Sequence, residues 1–431
     1  MALRSTREER SARRVWHFDV VGTMHRAHRR LLLPVYLPTV LLAFGQGVMV
    51  PILPLYALEF GDSYQLAGLV VSAAWVGTLL ADLPTGLLLP RLGFRRSMVV
   101  GCGLVGAGTI ALAFAQIAPE LVLYRFIAGI GTALWGLSRH TYVTTAVAPG
   151  SRGRAIAVFG GINRIGWFAG PAVGGLLGQL YGLEVPILIA GVMALAALLV
   201  ALVAVEVPAP WNPARSHWLS LGVLRQIVRE RQRELIAAGS AQIFAQMIRA
   251  ARQLVIPLYG SEVIGLDRAQ IGLIISLMSM VDMSLFLPAG MLMDRYGRKA
   301  AAIPSFVLLG LGMALIPLTD SYWTLLGAAL VLGFGNGIGS GTMMTLGADL
   351  APRGRTGEFL GIWRLIGDSG QATAPLVIGM AADLFGLVFT VGAVAGIGLA
   401  AAGTLALFVE ETRWKEETRP ATTRQPATNG N

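Results

Sequence analysis

Apolar segments long enough to cross a bilayer recur along nearly the whole chain, and that feature leaves few folds open. A hydrocarbon core about 30 Å thick needs about 20 residues of helix. No water is available there to backbone N–H and C=O groups, so each segment satisfies its own, as a helix does. Hydropathy marks twelve candidate helices: roughly 33–57, 65–89, 97–116, 120–147, 154–180 and 185–206, then roughly 235–259, 269–293, 300–318, 322–350, 357–382 and 387–409. Only 13% of residues are charged against 55% hydrophobic, where an ordinary soluble chain has about a quarter charged. The expected fold is all-α and integral to the membrane. Residues 1–32 read as a basic arm, on the membrane surface or disordered. Residues 208–234 read as a polar linker with an amphipathic helix from Ser216 onward, and 411–431 as a disordered tail. The basic N-terminus has no short apolar region with a cleavage site, so the first span is expected to direct insertion itself.

The two sets of six are copies. Pro54-Leu-Tyr56-Ala-Leu-Glu59 matches Pro257-Leu-Tyr259-Gly-Ser-Glu262 at an offset of 203, and Pro84-Thr-Gly86 matches Pro288-Ala-Gly290 at 204. Gly129 and Gly131 match Gly333 and Gly335 at 204, as Pro171 and Gly175 match Pro375 and Gly379. A nearly constant offset across four helix pairs points to two six-helix bundles, 33–207 and 235–410, related by a pseudo-twofold axis. Transporters built from parallel halves of this kind hold their site at the interface.

Charge orients the spans. The arm, the tail and the connections after even-numbered spans hold 27 of the 34 Lys and Arg. The other connections carry Glu59, Asp62, Glu184, Glu262, Asp267 and Asp320 but only one base, Arg268. The positive-inside rule then places both termini and the linker in the cytoplasm, with the plasma (inner) membrane as the expected location. The net charge of +10 is spread over one membrane face, which argues against nucleic acid as a partner. Cys102 stands alone, so no intrachain disulfide forms.

The loop run Gly86-Leu-Leu-Leu-Pro90-Arg91-Leu-Gly93-Phe-Arg95-Arg96 recurs 204 residues on as Gly290-Met-Leu-Met-Asp294-Arg295-Tyr-Gly297-Arg298-Lys299, and with this repeated motif the chain resembles the major facilitator superfamily. That family's loop between the second and third spans reads Gly-x-x-x-Asp-Arg-x-Gly-Arg-Arg, with a looser copy in the second half. Here the fuller copy is the second; the first has Pro90 in place of the acid. The fourth span carries Arg125-Phe-Ile-Ala-Gly129-Ile-Gly131, and the fifth Gly166-Trp-Phe-Ala-Gly170-Pro171-Ala-Val-Gly174-Gly175. In the family the last pattern accompanies proton-coupled exporters, especially twelve-span drug antiporters. The resemblance implies a gate in which the loop acid approaches the N-terminus of the eleventh helix, where the helix dipole favours negative charge. Asp294, Arg298 and Asp349 are the set expected for the second half, closing against the fifth span near Arg154. In the first half Arg91, Arg95 and Arg96 are expected to serve as topology anchors.

Glycines 166, 170 and 174 recur every four residues, forming a groove for another helix, and Pro171 bends its own helix. Tight packing and a coupling role both fit this pattern. A charge near the bilayer centre is costly unless it faces a cavity or a partner, so ionisable residues inside spans are the candidates for substrate and coupling. Arg364 and Asp368, four apart, share a face and can pair. Arg164, beside Asn163, is expected at similar depth, and Arg249 and Arg252 share a face near the middle of the seventh span. Asp82 and Asp282 lie towards the cytoplasmic third of the second and eighth spans, with Arg139 and His140 at comparable depth on the fourth. Asp82 and Arg125 fit structural pairing better; Arg164, Arg249, Arg252, Arg364 and Asp368 fit a cavity better. Asp368 and Asp282 are the candidates to carry a proton, since a carboxylate removed from water resists holding its charge.

Four midplane arginines facing two acids favour an anionic or zwitterionic solute over a lipophilic cation. Between Leu31 and Leu58 the first span offers Gln46 and Tyr36 but no acid. No phosphate-binding Gly-x-x-x-x-Gly-Lys-Ser/Thr run is present, so ATP is not the expected energy source, and no metal-ligand spacing or cofactor motif occurs. The expectation is a monomeric secondary transporter, not an enzyme, coupling protons to export of a small organic molecule. Uptake of an organic anion and a non-transporting receptor on the same scaffold are the alternatives.

Overall fold

The computed structural model describes residues 31–147, 152–205, 221–352 and 355–412. The basic arm before residue 31, residues 206–220 of the linker and the tail beyond 412 lie outside the described residues, as does the side chain of Arg154. The described chain is helical. A π-helical turn, Leu32–Tyr36, leads into α1 (Leu37–Met49), followed by α2 (Leu53–Leu58), α3 (Tyr64–Leu112), α4 (Ala118–Ala146), α5 (Arg152–Tyr181) and α6 (Glu184–Ala204). The linker contributes α7 (Leu221–Glu230). The second half holds α8 (Gln232–Tyr259), α9 (Arg268–Ser284), α10 (Phe286–Tyr296), α11 (Arg298–Leu315), α12 (Tyr322–Ile338), α13 (Thr342–Leu350), α14 (Thr356–Phe385) and α15 (Leu387–Phe408).

By length and composition seven of the described helices can cross a membrane, or eight if the bent pair α9–α10 is one span. Three further helices are long enough: α5, α8 and α14. Their interiors carry Arg164, Arg249 with Arg252, and Arg364 with Asp368, and these polar groups lower their hydropathy. The expected breaks between the second and third spans fall on glycines. Non-helical backbone at Gly93 (φ 75°, ψ 165°) divides α3, and Gly297 (φ 100°, ψ 169°) stands between α10 and α11 at the same place in the repeat. Positive φ is open to glycine and strained for other residues, which is why the loop motif needs a glycine there.

Packing repeats with the sequence. In the first half α1 lies on α5 and α6, α6 on α3, and α3 on α4. In the second half α8 lies on α14 and α15, α15 on α11, and α9 and α11 on α12. Helix starts repeat as well. Ser63 caps α3 by accepting from Leu66 N at 3.2 Å, and Asp267, 204 residues on, caps α9 in a full capping box with Gln270. Arg95 donates to the Leu202 carbonyl near the end of α6, as Lys299 Nζ donates to the Ala406 carbonyl near the end of α15.

Glycines set the helix spacing. Gly166, Gly170 and Gly174 all face α1, where an added Cβ would overlap Ala43, Gly47 and Val48 backbone. Gly129 and Gly131 let α4 sit against both limbs of α3, at Ala74 and at Gly101. Gly86 and Gly290 have room around them. A methyl group forced into a helix contact of this kind costs about 1–3 kcal/mol. Gly174→Ala should therefore lower the thermal unfolding midpoint in detergent by several degrees, while Gly136→Ala, with no atom within 4 Å of its added Cβ, should leave it in place. Equal midpoints for the two variants would show that the α1–α5 contact tolerates a methyl group.

Candidate functional site

The two halves meet along two seams, α5 against α9 and α14 against α3, each the image of the other in the repeat. One end of the molecule carries the acidic connections with Glu59 and Glu262; the other carries the Gly290–Lys299 motif. These are called the acidic and basic ends below.

At the acidic end the seams close on backbone. Gly175 faces Arg268 and Gly272 of α9, and Gly379 faces Tyr64 and Gln65 of α3, so close that a Cβ would overlap main-chain atoms. The groove glycines thus divide: three serve the half they belong to, and Gly175 serves the other half. Prolines supply the next contact. Pro171 opens the hydrogen-bond ladder of α5, and Ala172 N donates to Ser276 Oγ across the seam at 2.8 Å. In the second seam, 204 residues on, Leu376 N beside Pro375 donates to Ser72 Oγ at 3.0 Å. Asp383 on α14 completes the seal by accepting from Tyr64 N (2.8 Å), Gln65 N (3.0 Å) and Ser63 Oγ (2.7 Å) at the start of α3. Its counterpart Gln179 accepts one bond, from Arg268 N at 3.3 Å. Arg268 also donates to the Gly178 carbonyl at 3.0 Å and lies 3.5 Å from Glu59.

Towards the basic end the seams are bridged by charge. Arg164 Nη1 of α5 lies 3.0 Å from Asp282 Oδ1 of α9, and its Nη2 donates to Ser340 Oγ at 2.7 Å. Asp282 Oδ2 accepts from Asn336 Nδ2 at 2.8 Å, and Asn336 Oδ1 accepts from Arg249 Nε at 3.1 Å. Arg249 also donates to Gln246 Oε1 and the Gly339 carbonyl, both at 3.1 Å, and Arg252 Nε donates to the Arg249 carbonyl at 3.3 Å. In the other seam Arg364 Nη2 lies 3.2 Å from Asp82 of α3, while its Nε lies 3.3 Å from Asp368 on its own helix. Arg364 sits four residues before the position equivalent to Arg164, and Asp82 four residues after the one equivalent to Asp282. The second bridge is therefore one helical turn, about 5 Å, nearer the basic end.

The remaining sequence candidates divide. Arg298 Nε and Asp349 Oδ2 pair at 2.8 Å, and Thr412 Oγ1 donates to the same carboxylate oxygen at 2.7 Å. Glu411 caps α11 by accepting from Arg298 N and Lys299 N, both at 2.9 Å, in the space that Gly297 leaves. Asp294 is exposed and has no bond to that pair among the described residues, and Arg295 lies over the Tyr296 ring. Arg91 is exposed, as is His140. Arg139 stacks on Phe159 at 3.9 Å and on Trp135 at 5.6 Å. Asn163 is half-buried on α5. Arg125 lies apart from the seams, on the wall of a cavity in the first half.

Sequence reasoning missed Ser72, Ser276, Asn336, Ser340, Asp383 and Glu411. For Ser72 and Ser276 a signal existed, since they are 204 residues apart and both interior. Asp383 follows Gln179 by the same interval, although Gln and Asp do not look like a repeat.

Loss of the Asp383 charge is expected to loosen the acidic end. A cysteine at position 253 in a Cys102→Ser background, reacting in sealed vesicles with a polar maleimide added at the acidic end, reports this. Asp383→Asn should raise the labelling rate at least threefold and Gln179→Ala less; equal rates in all backgrounds would mean that the glycine contacts alone make the seal.

A family model described as Major Facilitator Superfamily matches residues 35–266 and 238–429. An uncharacterised MFS-type transporter of Methanocaldococcus jannaschii is 23% identical over 355 residues, covering 82% of this chain and 91% of that protein. A Na(+), Li(+), K(+)/H(+) antiporter of Planococcus maritimus is 26% identical over 383 residues, covering 79% and 87%. Among solved structures, a bacterial homologue of the human lysosomal transporter Spinster, inward-facing and unoccupied, superposes with a TM-score of 0.76 at 15% identity, covering 92% of this chain and 99% of that one.

Proposed function

The chain belongs to the major facilitator superfamily, and from that premise we propose that this multi-pass membrane transporter couples protons to export of a small organic anion or zwitterion. The observation that carries the proposal is the three-centre arrangement of Arg364 between Asp82 and Asp368. One of these acids belongs to the other half and one to the same helix. A proton on Asp82 removes the charge that holds α3 to α14, and Arg364 then rests on Asp368 alone. A proton on Asp368 leaves the bridge to Asp82 intact. The bridge between the halves thus depends on which acid is protonated, and rocking of the halves about a midplane site follows the proton. Arg164 and Asp282 bridge the opposite seam near the same depth.

The direction rests on the fifth-span glycine pattern and on the similarity to a cation/proton antiporter. Both termini cytoplasmic would put the sealed acidic end outside and the Gly290–Lys299 motif inside. The cargo class rests on charge. Arg125, Arg139, Arg164, Arg249, Arg252 and Arg364 line the interior with Asp82, Asp282 and Asp368, and Arg249 and Arg252 are held by neutral groups. That excess suits an anion better than the metal cations named for the relative.

Two measurements test this reading. Asp368→Asn in proteoliposomes should abolish proton-coupled flux while the protein still elutes as a folded species; unchanged pH dependence would remove Asp368 from coupling. Arg249→Ala and Arg252→Ala should each weaken the anionic hits of a thermal-shift ligand screen at least tenfold and the neutral hits little. Equal weakening of both classes would assign these arginines to structure.

A further inference from the structure

A cavity in the first half carries a charge that the seams do not explain. It holds about 110 Å³ and is walled by α1, α3, α4 and α6, with Trp75, Trp167, Gln46 and Gln253 contributing. Arg125 of α4 lies on this wall. Its Nε is fully buried without a hydrogen-bond partner, and among the described residues the guanidinium pairs with no carboxylate. The seam arginines and their neighbour on α8 have acceptors: Arg164 has Asp282, Arg364 has two acids, and Arg249 has Asn336 and a carbonyl, while Arg139 rests on the Phe159 and Trp135 rings.

The repeat shows that the fold does not require this arginine. Its equivalent 204 residues on is Ala329, which is fully buried. Where the second half places Asp282 and Asn336, hydrogen-bonded to each other, the first half places Thr78 and Thr132. Thr78 donates its hydroxyl towards the Ala74 and Gly129 carbonyls, and Thr132 donates its own to the Ala128 carbonyl. Among the described residues the first-half cavity therefore has a guanidinium and no anion on its wall, and the Thr78 and Thr132 donors are already used. A cation buried in this way is costly unless a counter-charge arrives.

Shape and lining define that counter-charge. The wall is mostly apolar, with two indoles and one cation, which is the composition of a site for an amphiphilic ligand. At about 110 Å³ the cavity is smaller than an engineered cavity of roughly 150 Å³ that accepts benzene, which limits the ligand to a small hydrocarbon body such as one ring or a short branched chain. We propose that the cavity binds a small organic monocarboxylate, with its carboxylate on Arg125 and its hydrocarbon body against Trp75 and Trp167. This names the cargo class within the transport reading above and rests on it only for the link between binding and movement.

The test is equilibrium binding, which involves no transport step, so its failure and the failure of coupled export are read separately. Benzoate and its neutral isostere benzamide are titrated into the purified full chain in detergent, followed by tryptophan quenching and calorimetry. Benzoate should bind at least tenfold more tightly than benzamide. Arg125→Gln should erase that preference and Arg125→Lys should retain part of it. Trp75→Phe with Trp167→Phe should remove most of the quenching while calorimetry still detects benzoate. Equal affinities in the unaltered protein would overturn the proposal without any variant having to fold. So would full benzoate preference in Arg125→Gln, or undiminished quenching in the double tryptophan variant, which would put the ligand elsewhere.

Discussion

Everything between the two halves depends on the cost of holding a charge away from water. An arginine at bilayer depth needs a carboxylate, a set of dipoles or a wet cavity. The structure answers this at the seams by drawing acids from the opposite half: Asp282 for Arg164 and Asp82 for Arg364. Arg164 is thus satisfied only while the halves are together at that level, whereas Arg364 keeps Asp368 on its own helix. This ties the electrostatics of single residues to the relative position of two six-helix units.

The acidic end is held by a different interaction. Glycines 175 and 379 bring helix backbones into contact across the seams, and the prolines beside them free N–H groups that serines of the opposite half accept. These contacts are short-ranged and carry no net charge, and the Asp383 carboxylate and the Arg268–Glu59 pair add the charged contacts of that end.

The repeat makes departures from symmetry informative. Asp383 makes three hydrogen bonds where Gln179 makes one. Asp294 stands where the first half has Pro90, and Glu411 caps α11 next to it. Arg125 stands where the second half has Ala329. Positions that agree across the repeat, such as Gly93 with Gly297 or Ser72 with Ser276, build the frame. Those that disagree mark where the halves have different work.

The sequence by itself determined the membrane class, the two-fold repeat and the family, because these rest on local properties: hydropathy over a helix length, short motifs, and a constant offset of 204 residues. It also marked Arg164, Arg364, Asp82, Asp282 and Asp368 as costly charges, since burial within a span can be read from the span. Only the tertiary structure decided which charges meet. Arg364 and Asp368, four apart on one helix, were a legible pair, but Asp82 joins them from 282 residues away. Arg164 and Asp282 stand 118 apart. No local pattern encodes such distances, because they depend on how two separate bundles settle against each other. The same holds for Arg125: its charge was visible in the sequence, and the lack of a carboxylate partner for it among the described residues was a fact of packing alone.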